Sequence, residues 1–257
     1  MTRVLAFGDD RSAEADRCWN WITSQPWDGW RLEIVTAEPP ADMHPVSPEE
    51  MELRPWEPED PRRAEGVGFE SVETLHAAID PRLALISRPW DIVAIGPRGS
   101  GMLKTLHLGS TADWLIRQPA SPLIVARQSG RVSRVMVAAD GSAHSLRAIE
   151  TLSTLPWLDG VSVQVVAVED GRVDTDAAID QASSALSATG AGIDAVTRQG
   201  KPTKALIQEI EATHPDLVVL GVRGHGGIHR LVVGSTTAAI TGATDRSVLV
   251  AHARSED

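Results

Sequence analysis

The residues best suited to chemistry in this sequence form a glycine motif, Gly-x2-Gly-x9-Gly-Ser-Thr, that occurs twice. Each copy begins where a short apolar run ends, and ligands in open parallel sheets bind at the carboxyl ends of strands. Glycine permits positive φ and lets backbone N–H groups approach an anion, and a helix start with Ser-Thr favours phosphate. The motif therefore predicts two phosphate sites. Their residues are Gly96, Gly99, Gly109, Ser110 and Thr111 in the first copy, and Gly221, Gly224, Gly234, Ser235 and Thr236 in the second.

An aspartate, Asp9 or Asp140, ends the first strand before each copy of the motif. A carboxylate would repel phosphate, so we expect it to accept hydrogen bonds from a ribose hydroxyl or a base edge. Two structural alternatives remain open. The glycines could serve only tight turns and caps, and the aspartates could cap helices, although Ser12 or Ser142 could do so instead.

Other catalytic patterns are not found in the sequence. Neither loop contains G-x-G-x-x-G, and Met102 stands where a Walker lysine would follow Gly96-x4-Gly101. His225 and His229 lie four residues apart on a glycine-rich loop rather than on a helix, which does not favour a metal site. There is no G-x-S-x-G elbow for a hydrolase. We therefore predict no catalytic residues and no metal ligands, and a binding protein rather than an enzyme.

The motif belongs to a longer internal repeat, whose units are three blocks in the same order. The matching pairs are RVLAFGDD with RVMVAADG, from Arg3 and Arg134; DIVAIGPRGSGMLKTLHLGST with DLVVLGVRGHGGIHRLVVGST, from Asp91 and Asp216; and PLIVAR with SVLVAH, from Pro122 and Ser247. We therefore predict two similar domains, 1–129 and 133–257.

Each repeat alternates strand-like and helix-like segments, which indicates βαβ units and an α/β fold. In the second repeat the predicted strands are 135–139, 161–168, 193–197, 217–220 and 248–251, and the predicted helices are 142–155, 174–189, 202–212 and 235–241. The first repeat departs from this plan at 38–66, where seven prolines follow a strand and predict a loop in place of the second helix. We interpret this segment as a solvated insertion, with a lid or partner-binding role as the alternative. Matching prolines, Pro81 and Pro202, predict that the next helix of the first repeat is about one turn shorter.

Composition excludes several classes of protein. The chain has 257 residues, and its net charge of −11 does not favour generic binding to nucleic acid. Apolar runs are too short for a membrane span, the first residues do not resemble a signal peptide, and Cys18 alone cannot form a disulfide framework. The tryptophans near Trp27 are expected in core or interface packing, with stacking on a base as the alternative. We expect a cytoplasmic protein with neither nucleic acid nor membrane partners.

VMVAADGS at 135–142 and GVRGHGGIHRLVVGST at 221–236 resemble the universal stress protein family, and the duplication is similar to its tandem-domain members. The resemblance implies, in each half, a five-stranded parallel sheet of order 3-2-1-4-5 with helices on both faces and ATP between strands 1 and 4. It implies adenine and ribose against Asp140 and Val168, with the phosphates on the second glycine motif. The matching positions in the first half are Asp9, Ala37, Gly96, Gly99, Gly109, Ser110 and Thr111.

Two departures from the family pattern favour the second site over the first. Asp10 replaces the usual glycine after the first-strand aspartate, and Pro97 stiffens the loop and removes one N–H group. Family dimers also pair their last strands, which implies that Leu123–Ala126 pairs with Val248–Ala251 inside one chain as an intramolecular pseudo-dimer. A homodimer of whole chains is a further expectation.

These observations lead to one functional hypothesis and several alternatives. The hypothesis is an ATP-binding stress-response protein that acts as a nucleotide-dependent sensor or regulator, and Mg²⁺ could accompany the nucleotide. The alternatives are a slow ATPase or phosphotransfer enzyme, a nucleotide-free dimerisation or interaction module, and cyclic AMP as the ligand.

Overall fold

The computed structural model describes residues 2–39, 48–98, 108–118, 120–224 and 233–253. The first half contains strands β1 (Arg3–Gly8), β2 (Trp30–Ala37), β3 (Arg54–Pro55), β4 (Ser71–Ala77), β5 (Ile92–Ile95) and β6 (Leu123–Val125), and helices α1 (Ala13–Thr23), α2 (Pro48–Met51), α3 (Pro81–Ala84) and α4 (Ser110–Arg117). The second half contains β7 (Arg134–Ala138), β8 (Ser162–Glu169), β9 (Gly192–Gln199), β10 (Leu217–Gly221) and β11 (Ser247–Ala251), and α5 (Ala143–Ser153), α6 (Thr175–Leu186), α7 (Pro202–Thr213) and α8 (Ser235–Ala243).

All eleven strands form one mixed sheet in the order β3-β4-β2-β1-β5-β6-β11-β10-β7-β8-β9. Within each half, five parallel strands follow the order 3-2-1-4-5, which confirms the α/β fold and the strand order that the resemblance implied. The halves share one continuous sheet, and the five-stranded sheet expected for the first half is corrected in one detail, because β3 adds an antiparallel edge strand beside β4.

The two halves join where β6 pairs with β11 in antiparallel register, with Ile124 opposite Leu249. This confirms the pairing expected between Leu123–Ala126 and Val248–Ala251. Every residue of both strands is buried. The pairing is favourable because each half would otherwise expose an apolar edge with unpaired backbone groups. We call the contact region around this strand pair the seam.

Helices cover both faces of the sheet, because its central strands are apolar on both sides. One apolar layer lies under α1, α5 and α6, and the other lies under α3, α4, α7 and α8. This arrangement confirms the predicted helices on both faces. The domain boundaries at 1–129 and 133–257 stay a prediction.

The proline-rich insertion replaces the second helix of the first half, as the sequence predicts, and most of its described residues are exposed. Leu53 is buried, however, and directly after the insertion the buried Val67 accepts a 2.7 Å hydrogen bond at its carbonyl from the Trp27 N–H. Phe69 stacks on the Trp27 ring at 5.6 Å. Within the insertion, which the sequence predicts as a loop, one short helix of four residues is observed, α2.

The sequence also predicted the length of one helix and the packing of the tryptophans, and the two predictions have different outcomes. The third helix of the first half is shorter than predicted, since α3 has four residues where α7 has twelve. The tryptophans near Trp27 do pack across the halves, because Trp157 of the second half lies edge-on to Trp21 at 6.1 Å and to Trp27 at 6.3 Å. These indoles therefore belong to the core rather than to a base-stacking surface.

Candidate functional site

A cavity of about 610 Å³ opens at the carboxyl ends of β7 and β10 in the second half. Its size falls within the range of roughly 300–1,000 Å³ that is usual for small-molecule sites. Its lining includes all seven residues predicted for the second site, namely Asp140, Val168, Gly221, Gly224, Gly234, Ser235 and Thr236. The structure thus brings the predicted residues together, while their binding of nucleotide stays a prediction.

Asp140 lies in the turn between β7 and α5, and it is not the cap of the helix. Ser142 is the N-cap residue, since its hydroxyl accepts a 3.2 Å hydrogen bond from the Ser145 N–H. The Asp140 carboxylate accepts a 3.0 Å bond from the Ser142 N–H through one oxygen. Because Ser142 caps α5, the alternative that Asp140 is the helix cap is removed. The half-buried Asp140 carboxylate, which lines the cavity, keeps capacity to accept further hydrogen bonds.

The motif glycines are needed for space rather than for positive φ. None of Gly221, Gly224 and Gly234 has a positive φ, which corrects that part of the sequence argument. A Cβ at Gly221 would lie 2.5 Å from the Ser145 nitrogen, and one at Gly224 would overlap the Asp140 carboxylate. Gly221 therefore lets α5 approach the end of β10, and Gly224 leaves room for the carboxylate.

The start of α8 forms one wall of the cavity and suits an anion. Gly234 is its N-cap and supplies no side-chain hydrogen bond, so the N–H groups of the first turn are not capped by a side chain. The Gly234 N–H itself is bonded to the Val222 carbonyl at 2.9 Å, which closes the base of the loop. Thr236 contacts Thr203, at the start of α7, through their hydroxyls at 2.9 Å.

The remaining walls supply positive charge and apolar surface. Arg172, Lys201 and Arg223 line the cavity, against the carboxylates of Asp140 and Asp170. The apolar part of the lining consists of Val166, Val168, Val173, Leu206 and Leu220. The cavity thus offers charged groups and apolar surface to one ligand.

The corresponding cavity of the first half is much smaller, at about 90 Å³. Leu85 and Ile95 fill the space over Gly8, where a Cβ would lie 3.0 Å and 2.9 Å from their side chains. Of the residues predicted for this site, Asp9, Ala37, Gly96, Gly109 and Thr111 line the small cavity. Ser110 is exposed and does not line it, and Gly99 lies outside the described residues.

Asp9 differs from Asp140 because its carboxylate is held by an arginine of the insertion. Arg62 donates to both oxygens of Asp9, at 2.6 and 2.7 Å, and reaches Asp16 at 2.9 Å. Its guanidinium also lies over the rings of Phe7 and Trp19, at 5.5 and 5.6 Å. Sequence reasoning missed Arg62, since the insertion holds other arginines and nothing in its pattern distinguishes this one.

The turn after β1 also differs from the expectation placed on Asp10. Arg11, with φ of 58°, takes the left-handed conformation that Gly141 takes in the second half with φ of 70°. The first-half turn is one residue longer, so Asp10 does not substitute for that glycine. Pro97 keeps the base of its loop intact, because its carbonyl accepts a 2.6 Å bond from the Gly109 N–H.

Other candidate groups carry no site in the described residues. His225, His229 and Met102 lie outside those residues, and within them no group of three His, Cys, Asp or Glu side chains is placed to hold a metal. Cys18 is fully buried, and burial raises the pKa of its thiol, so it stays protonated. No helix in the described ranges has the length and apolar character needed to cross a membrane.

The sheet and helices define this chain as a doubly wound α/β protein, and its larger cavity lies at the strand 1–strand 4 switch point, where ligands bind in this class of fold. Residues 131–252 match the model of the universal stress protein family. Universal stress protein Slr1230 of Synechocystis is 28% identical over 188 residues, covering 71% of this chain and 66% of the relative. Rv2005c of Mycobacterium tuberculosis is 27% identical over 199 residues, with coverage of 67% and 65%. The chain therefore matches slightly less than two thirds of the length of these relatives.

The fold also agrees with solved structures along the whole chain. A universal stress protein from Archaeoglobus fulgidus gives a TM-score of 0.69 at 18% identity, covering 99% of this chain and 100% of that chain. Together these comparisons show that the second half of the chain matches the universal stress protein family model, and that the whole chain has the fold of a solved universal stress protein.

Proposed function

We propose that the second half binds an adenine nucleotide, with ATP as the principal ligand, and that the protein acts as a nucleotide-dependent sensor or regulator of a stress response. The observation that carries this proposal is the 610 Å³ cavity, which combines the uncapped start of α8 with an apolar wall and a carboxylate. The similarity of this half to the universal stress protein family supports it, because residues 131–252 match the family model.

Each part of the ligand has a suitable wall. The phosphates would lie against the first turn of α8, where N–H groups and the helix dipole attract anions and Arg223 and Lys201 add positive charge. The ribose would donate its hydroxyls to Asp140. The base would lie against Val166 and Val168, which offer an apolar surface at the end of β8. Mg²⁺ would be held by the phosphates that it accompanies.

The same geometry leads us to propose one nucleotide site per chain. The first-half cavity of about 90 Å³ is too small for a nucleotide, and the Asp9 carboxylate is occupied by Arg62. In this proposal the first half contributes structure and the seam, while ligand-dependent changes begin in the second half.

Isothermal titration calorimetry with ATP tests the proposal through a matched pair of variants. Gly234→Asp places a carboxylate at the start of α8, where it caps the helix and repels phosphate, and we expect affinity to fall at least tenfold. Gly109→Asp makes the same change at the equivalent cap of α4 and should leave affinity and the one-to-one stoichiometry unchanged. Wild-type protein that gives no heat with ATP, AMP or cyclic AMP would contradict the proposal.

The alternative functions differ from this one in measurable ways. A slow ATPase would release labelled phosphate in a single-turnover assay faster than the Gly234→Asp variant does. Cyclic AMP as the principal ligand would give a larger thermal shift than ATP at equal concentration, because ligand stabilisation follows the dissociation constant.

A further inference from the structure

The seam is built from contacts that repeat 125 positions apart. Arg127, two residues after the end of β6, donates a 2.6 Å hydrogen bond to the Thr241 carbonyl of α8. His252, the equivalent residue after β11, has its Nε2 2.8 Å from the Ile116 carbonyl of α4. Ile116 and Thr241 are themselves 125 positions apart. Each half thus reaches across the seam to the same carbonyl of the other half, once with arginine and once with histidine.

The residues behind these two contacts also correspond, but their chemistry differs. Behind Arg127, Arg98 forms an ion pair with Glu14 of α1 at 2.9 Å. The equivalent positions in the second half are Arg223 and His144, so an imidazole stands where the first half has a carboxylate. The His144 and His252 rings lie 5.9 Å apart and nearly perpendicular. One side of the seam therefore depends on an arginine and an ion pair, and the other on two imidazoles.

Hydrogen bonds define where the protons of these two histidines are. The Ile116 carbonyl can only accept, so His252 carries its proton on Nε2. The Ala253 N–H donates to His144 Nδ1 at 2.7 Å, so that nitrogen is unprotonated. His252 Nδ1 is buried and has no hydrogen-bond partner within the described part of the chain. The His144 imidazole is therefore neutral, and burial, which lowers the pKa of His252, favours the neutral form there as well.

Acid would break the His144–Ala253 contact and would place a positive charge on the buried His252 ring, although His252 would keep its hydrogen bond to Ile116. If His144 Nδ1 were protonated, its own N–H would face the Ala253 N–H, and Nδ1 could no longer accept a hydrogen bond from Ala253. Burial lowers the pKa of His144, and Arg223 lowers it further, while Asp140 acts in the opposite direction. Burial also lowers the pKa of His252; the Ile116 carbonyl raises it, and His144 and Arg223 lower it. The charged forms of both histidines are thus disfavoured in the folded protein.

We propose that His144 and His252 form an acid-sensitive contact through which pH acts on the seam and on the edge of the second-half cavity. The link to the cavity is direct, because His144 lies in the first turn of α5 and its backbone packs against Gly221, a residue of the cavity wall. The contact therefore joins three parts of the fold: α4 of the first half, the residues after β11, and the start of α5. This inference stands whether or not the cavity binds a nucleotide.

The sign of the pH effect follows from the two lowered pKa values. The unfolded chain binds protons on both histidines near their ordinary pKa of 6.5, and the folded chain binds them only at lower pH. The stability that these neutral imidazoles support is fully present above about pH 6.5 and is lost as pH falls below it. Arg127 is different, because burial and Arg98 lower its pKa only to about 10, so it keeps its charge throughout this range.

The test compares a neutral double variant with a control at the equivalent contact. In His144→Gln/His252→Gln, glutamine can still accept from Ala253 and donate to Ile116, but it does not titrate. We expect the thermal unfolding midpoint of wild type to be lower at pH 5.5 than at pH 7.5. In the double variant this difference between the two pH values should be at most half as large. Arg127→Gln should lower the thermal midpoint by a similar amount at both pH values, so that the midpoint depends on pH as it does in wild type.

Two residue-specific measurements complete the test. Histidine NMR titration should give pKa values below 6.5 for both residues. The exchange protection factor of the Ala253 amide should fall at least threefold between pH 7.5 and pH 5.5 in wild type, and less in His144→Gln. The proposal is overturned if both histidines titrate at or above 6.5, or if the double variant keeps the wild-type slope.

Discussion

Asp9 and Asp140 end equivalent strands, yet their carboxylates have different partners. Arg62 binds both oxygens of Asp9, whose side chain is fully buried, and the aromatic rings of Phe7 and Trp19 enclose the guanidinium. Asp140 has no such arginine among its described hydrogen bonds, and it faces the larger cavity. A single residue of the insertion thus accounts for the difference between the two aspartates.

Replacing Arg62 tests that difference directly. Arg62→Met keeps a long apolar side chain between Phe7 and Trp19 but leaves the Asp9 carboxylate buried, with Arg11 as its remaining basic contact. Breaking a buried pair from one side typically costs about 3–5 kcal/mol, so we expect a loss of about 3 kcal/mol in urea unfolding. Arg63→Met, an exposed arginine in the same segment, is the control and should change stability little. Equal effects of the two variants would contradict this account.

Two glycines that the sequence predicts in nucleotide sites, Gly96 and Gly221, also determine how closely helices and strands pack. The first turns of α1 and α5 lie against Gly96 and Gly221, where a Cβ would come within 2.6 and 2.5 Å of backbone atoms. The strand ends can approach the helix starts only because these residues have no side chain. The cavity is therefore a consequence of element packing, and the proposed ligand site depends on it.

The matched substitutions Gly221→Ala and Gly242→Ala measure this effect. At Gly221 the added methyl meets the backbone of α5, and overpacking of this kind costs about 1–3 kcal/mol. At Gly242, inside α8, nothing lies within 4 Å of the added methyl, so the gain in helix propensity should stabilise by about 0.5–1 kcal/mol. Thermal unfolding of both variants provides the check, and destabilisation by both would refute the distinction.

The elements show what sequence could and could not predict. The repeated glycine motif and the alternation of apolar runs predicted nearly every strand, because periodicity and turn chemistry are local properties. The short strand β3 was missed, since its pairing with β4 depends on the path of a proline-rich loop. For the same reason Arg62 could not be placed on Asp9. The length of α3 was also overestimated, because a shared proline marks where a helix starts but not where it ends.

At the scale of the whole molecule, the two halves share one sheet and one aromatic cluster. The strand pair β6–β11 contributes buried apolar side chains on both faces. On one face, Trp157 of the second half packs against Trp21 and Trp27 of the first. Gln25 adds a polar link, since its side chain bonds the Gly130 carbonyl and the Val132 N–H. These contacts predict that neither half unfolds independently.

Trp157→Ala tests this cooperativity at a buried position of the shared cluster. Truncating a buried tryptophan typically costs about 3–5 kcal/mol, and we expect a loss in that range because the cavity would open between the halves. Wild type and variant should each unfold in urea as a single transition, with circular dichroism and fluorescence midpoints that coincide. Trp56→Ala, at a side chain that is 43% exposed on the sheet edge, is the control and should have a much smaller effect. Two separated transitions in wild type would show that the halves fold independently and that the seam does not couple them.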